Sequence, residues 1–256
     1  MNELNMAKKW PELQKTPVVM VICQVVFEGK ETISLLPEVI VSIQKTLPKQ
    51  FLNMHTNLNL NLSAPLPLGE STVKAGASTQ VSGSVYHTED QRQKLEITSK
   101  QITYIDETAY KGFDKLKDTL DNYLKILEDY LRDTIVKRVS IRFINRFSFT
   151  EFNDVTEYFK TFISTAEDSV TNYPVVGYGF KWFSQIADNT RAIVNQELNN
   201  VVGGKFDYLF DIDVLCDSNL IFDKAAILNT IDELREIKND LFFSNLTRKT
   251  IDLCNS

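Results

Sequence analysis

The first clear pattern in the chain is a β-branched run at 18–27, Val-Val-Met-Val-Ile-Cys-Gln-Val-Val-Phe, opened by Pro17 and followed by Gly29. Both of its faces are apolar, which predicts a strand covered on both sides. A helix is expected next over 31–47, perturbed by Pro37 and closed by Pro48. From 51 to 83 the texture changes. Leu58, Leu60 and Leu62 alternate with Asn, then Ala64-Pro65-Leu66-Pro67 leads into a stretch rich in Gly, Ser and Thr. This reads as loop enclosing one edge strand. Short strands are expected over 82–87, 94–98 and 101–105.

Period switches at about residue 110. Phe113, Leu116, Leu120, Tyr123, Leu124, Leu127, Tyr130 and Leu131 recur at three- and four-residue steps, predicting an amphipathic helix over 110–134. A long strand over 136–149 follows. Val139, Ile141, Phe143, Asn145 and Phe147 share one face, and Ser140, Arg142, Ile144, Arg146 and Ser148 share the other. A helix over 154–164 and strands over 178–186 and 191–198 come next. Gly203-Gly204 signals a turn before a strand at 206–215. The last helix carries Ile227, Leu228, Ile231, Leu234, Ile237 and Leu241, with Asp223 as its N-cap.

The order of strand, helix, antiparallel strands and long helix then occurs twice. The expected fold class is α+β, with two pseudo-repeated units, 1–135 and 136–256, each a mainly antiparallel sheet with helices packed on one face. One continuous domain is the alternative. A single sheet across both halves, resembling the saddle of TATA-binding proteins, is one such arrangement.

Composition narrows the classes. The chain has 256 residues, 43% hydrophobic and 24% charged, which excludes wholesale disorder. A net charge of −6 argues against nucleic acid as the partner. Cys23, Cys216 and Cys254 are far apart and odd in number, as expected in a reducing compartment, and Cys23 and Cys216, inside apolar strand-like runs, are expected to be buried thiols. The polar 1–15 segment is not a secretory signal, and the longest apolar run is too short for a membrane helix. A cytoplasmic location is expected, with no membrane contact.

Candidate chemistry is sparse. Asp207, Asp211 and Asp213 share a strand face and are weak candidates for Mg²⁺ or Mn²⁺, as in phosphoryl transfer. The alternative is pairing with cationic residues of a neighbouring strand. Arg142 and Arg146, with Asn145 nearby, could grip phosphate or carboxylate, or pair with Asp211 and Asp213 if the two strands are adjacent. On its apolar face, Asn145 is expected to hydrogen-bond backbone. His55 and His87 lack companions at zinc spacing. No nucleophile elbow, P-loop or dinucleotide glycine pattern is present. Phe180, Trp182, Phe183, Phe242 and Phe243 are expected mostly in the core.

Four segments carry a resemblance. They are Pro17-Val18 opening the first strand, Val139-Ser-Ile-Arg-Phe-Ile-Asn-Arg146 after a long helix, the Phe-Asp-Ile-Asp core within 206–214, and the closing Leu234, Phe242 and Asn245-Leu246-Thr247. Together they resemble a sporadically distributed, uncharacterised prokaryotic family of about this length. The resemblance implies no catalytic residues. Its scattered occurrence implies cargo of mobile islands, and hence a defence, antitoxin or immunity role. The expectation is therefore a non-enzymatic binding protein with a protein partner, self-association being open, and with no cofactor. A metal-dependent enzyme on phosphate esters and a nucleotide- or nucleic-acid-binding sheet are the alternatives.

Overall fold

A computed structural model describes residues 10–28, 37–51, 53–63, 76–149, 155–161, 177–201 and 205–256. Among these residues nine strands form one sheet. They are β1 (Val18–Glu28), β2 (Asn53–Ser63), β3 (Gly76–His87), β4 (Gln93–Thr98), β5 (Gln101–Asp106), β6 (Ile135–Phe149), β7 (Gly177–Ala187), β8 (Thr190–Val201) and β9 (Lys205–Ile221). Four helices join them: α1 (Pro37–Thr46), α2 (Phe113–Leu131), α3 (Lys224–Asn245) and α4 (Arg248–Leu253).

The strand order is β2-β3-β4-β5-β1-β6-β9-β8-β7, and every pairing is antiparallel. The α+β class is as expected. Strands from both sides of residue 135 share one sheet, joined where β1 runs against β6.

The period-two patterns decide which face is covered. Register aligns Tyr86, Leu95, Tyr104, Cys23, Ile141, Val214 and Ala192 in one row across seven strands. Every one of them is buried. The helices pack over this face. Tyr86 donates its hydroxyl to the Ile40 carbonyl of α1 at 3.0 Å. Tyr123 of α2 meets Tyr104 at 5.2 Å between ring centroids, and Phe242 of α3 stacks on Phe210 at 5.8 Å. Asp223 caps α3 by accepting from the Ala226 N–H at 3.0 Å, as its position predicts.

Four expectations need correction. β1 is covered on one side only. Val21, Cys23, Val25 and Phe27 are buried, whereas Met20, Ile22, Gln24 and Val26 are half-buried. A central strand shields its second face through side chains of its neighbours, so apolar residues there need no covering layer. The helix expected over 154–164 is, in its described part, a 3-10 turn at Val155–Glu157, because Phe159 turns into the core and bridges to Leu246. The 51–83 stretch, expected as loop enclosing one edge strand, holds the edge strand β2 that the Leu/Asn alternation predicts and also the first part of β3, which begins at Gly76 and pairs along the whole of β2. Cys216 is half-buried, unlike Cys23 and Cys254, because it lies opposite Thr190, where β8 begins, and Asn189 of the preceding turn donates to its sulfur at 3.3 Å. Residues 31–36 of the first expected helix and the Gly203-Gly204 turn lie outside the described residues. Among the described residues no helix is long and apolar enough to cross a membrane.

Leu127 is fully buried under α2. Leu127→Ala should cost about 2–5 kcal/mol in urea denaturation, with the cooperativity of the transition unchanged.

Candidate functional site

The face opposite the helices carries the candidate residues. β6 and β9 are adjacent, and Arg142 lies directly across from Asp213, Ile144 from Asp211, and Ser148 from Asp207. Arg142 nevertheless reaches the diagonal carboxylate. Its Nε and Nη2 donate to the two oxygens of Asp211 at 2.8 and 2.6 Å. A long guanidinium leaning along its strand meets a diagonal neighbour in bidentate geometry more readily than the residue directly opposite. The hydrogen bond that Arg142 donates to Asp211 raises the Arg142 pKa above its ordinary value.

Arg146 is 3.7 Å from Asp207, which also accepts from the Ser148 hydroxyl at 2.7 Å. The expected partners of the arginines were Asp211 and Asp213. Arg142 takes the first, and Arg146 turns to Asp207. Asn145 points to the opposite, covered face. Its amide donates to the Phe210 carbonyl at 2.9 Å and the Phe143 carbonyl at 3.3 Å. The structure thus brings Arg142, Arg146, Asp207, Asp211 and Asp213 to one face and separates Asn145 from them.

Asp213 stands apart. It has no hydrogen-bond or ion-pair partner among the described residues, and burial raises its pKa against the opposing pull of Arg142, Arg138 and Lys181. Further along this face, Arg138 donates to Gln24 at 2.8 Å and Gln24 donates to Thr103 at 3.2 Å. Arg191 pairs with Asp217 at 2.7 Å. The row containing Asp213 runs Ile105, Ile22, Arg142, Asp213, Ile193 and Phe183. It ends on an aromatic ring that is 68% exposed.

No group of three or more His, Cys, Asp and Glu side chains among the described residues is placed to hold a metal ion. Asp207 and Asp211 are committed to a hydroxyl and a guanidinium. His87 is buried at the end of β3, with Nδ1 2.9 Å from the Thr88 carbonyl. Phe180 and Trp182 stack at 5.5 Å on the helix-covered side of β7, while Phe183 alone faces the open side.

The chain matches no model of a known protein family, and no curated protein matches it.

Sequence reasoning passed over one group on the covered face. Ile227, Ile231, Leu234, Lys238 and Phe242 follow one another at helical spacing and are all buried along α3. A lysine within an apolar stripe is the signal that could have found it. Its Nζ lies 4.4 Å from the Phe143 ring centroid and 5.7 Å from that of Phe242. Burial, aided by Arg235, pushes its pKa down to about 7.

Two outcomes are expected. Asp211→Ala leaves Arg142 without its carboxylate on a half-exposed face, and should cost about 1–3 kcal/mol in urea denaturation. Lys238→Met should stabilise the fold where the lysine is charged. The folded protein holds this proton less tightly than the unfolded chain, so the parent gains stability as pH rises from about 7 toward the ordinary lysine value of 10.5. The variant's advantage, read from melts at several pH values, is therefore largest below pH 7 and shrinks by about 1.4 kcal/mol per pH unit above it.

Proposed function

We propose that this chain is a non-enzymatic binding protein whose open sheet face docks a basic protein partner. The observation that carries the reading is the Arg142–Asp213–Ile193–Phe183 row. It sets a carboxylate without a bonding partner among the described residues beside an exposed aromatic ring, on a face that α1, α2 and α3 leave uncovered. Exposed aromatics anchor protein interfaces, and a desolvated carboxylate rewards an incoming Arg or Lys that pairs with it. The acidic chain, at net charge −6, adds long-range steering toward a basic molecule.

A partner, antitoxin or immunity component of a mobile prokaryotic defence system is the setting that suits an acidic binding protein with the family resemblance described above. We read the two halves, 1–135 and 136–256, as one plan used twice. What supports this is that β1 and β6 each lead to an edge of the sheet, β2 and β7. From there a meander returns through β5 and β9 to the starting strand and passes into a long helix.

The test is capture from an extract of the source cells on the immobilised protein. A basic protein should be retained in stoichiometric amount at low salt. It should be lost with the double variant Asp213→Lys, Phe183→Ala and kept with Leu253→Ser, a change on exposed α4. Turnover of a nucleotide or phosphate ester by the pure protein, abolished by Asp211→Asn or Asp213→Asn, overturns the proposal in favour of a metal-dependent enzyme. Nucleic acid bound through Arg142 and Arg146 at low salt overturns it in favour of a nucleic-acid-binding sheet.

A further inference from the structure

On the opposite side of the molecule from the open sheet face, residues 10–18 lie against α3 and the 110–113 turn. The Lys15 N–H donates to the Cys254 carbonyl at 2.8 Å, and the Arg146 N–H donates to the Pro17 carbonyl at 2.8 Å. The Trp10 ring stacks on Phe243 at 5.5 Å and 8°. Between these elements is a cleft of about 640 Å³, walled by Trp10, Tyr110, Phe113 and Phe243. That size suits a small organic molecule.

Lys238 at 8% exposed and Asn239 at 7% are buried polar side chains lining the same cleft. Neither side chain has a hydrogen-bond or ion-pair partner among the described residues. Most of each side chain is removed from water while its polar end stays open to the cleft, so an ammonium without a carboxylate and an amide without a protein hydrogen bond are left for something in the cleft to complete. The rings of Phe143 and Phe242 offset part of the cost through cation–π contact, but a ring face cannot satisfy three N–H donors. The other titratable groups lining the cleft are Glu12, Tyr110, Lys111, Arg235 and Glu236. Arg235 is paired with Glu236 at 3.1 Å and lies over the Phe113 ring at 4.7 Å.

We propose that this cleft binds a small planar carboxylate, its anionic group meeting Lys238 and its apolar body lying against the aromatic walls. Asn239 supplies an amide to the polar end of the ligand. The bound anion replaces the missing counter-charge and holds Lys238 protonated. This inference does not rest on the sheet-face reading, because the two surfaces lie on opposite sides of the sheet.

Benzoate is the probe, titrated by calorimetry into the full chain in two buffers of different ionisation enthalpy. The Lys238 amine is mostly neutral at pH 8. Binding at pH 8 should therefore take up nearly one proton, and binding at pH 6 almost none. Affinity should fall about tenfold per pH unit above 7. Lys238→Met should abolish binding while preserving the far-ultraviolet circular dichroism of the fold. Lys238→Arg should bind with no proton uptake at either pH, because arginine stays charged. Absence of benzoate binding at pH 6 up to ~10 mM overturns the proposal. So does binding that Lys238→Met leaves unchanged.

Discussion

The structure depends on one-sided alternation along β6, held at the centre of the sheet between β1 and β9. Its odd positions Val139, Ile141, Phe143, Asn145, Phe147 and Phe149 are all buried, while Arg142 and Ile144 are half-buried and Arg146 and Ser148 exposed. A strand has a side-chain period of two, so slipping this register by one residue would drive two arginines under α3 and turn five aromatic or aliphatic side chains outward. Neither can be tolerated, and the register of β1 and β9 follows from it. The helices come after. They cover whichever face the central strands make apolar, and the uncovered face inherits the charge.

That division places two kinds of unfinished electrostatics on opposite sides of one sheet. On the open face most charges find partners across or along the strands, with Arg142 held by Asp211, Arg146 near Asp207 and Arg191 by Asp217. Asp213 is left over because its opposite neighbour, Arg142, has turned to the diagonal. On the covered face the leftover is positive. Lys238 occupies a position in the α3 stripe where its neighbours are isoleucine, leucine and phenylalanine, and it lies over phenylalanine rings. Both groups shift toward their neutral forms for the same reason, that removal from water penalises charge more than the surroundings repay. Each identifies a place where a ligand or partner of opposite charge gains more than it would on an ordinary wet surface.

Local order was legible because it is written in short-range periods. The stripe Phe113, Leu116, Leu120, Tyr123, Leu124, Leu127 and Leu131 is also the buried set of α2. Asp223 caps α3 because a side-chain oxygen three residues before a free N–H has few other options. The strand face shared by Asp207, Asp211 and Asp213 needed only period two. The 3-10 turn at Val155–Glu157 was not legible, since Phe159 leaves helical geometry to fill a place in the core and bridge to Leu246, which is remote in sequence.

The sequence by itself determined the α+β class, the faces of β6, β9 and α2, and the residue types that could carry charge chemistry. Only the tertiary structure decided the order of the strands, which arginine meets which aspartate, and that Lys238 rather than Asn145 lines a cleft as an unpartnered group. The physical reason is separation along the chain. Periodicity and capping act over three or four residues, whereas Arg142 and Asp211 are 69 residues apart and the Gln14 contact to Asn255 spans 241. Whether a side chain is paired, buried or left over depends on such distant neighbours, and they become neighbours only when the sheet closes.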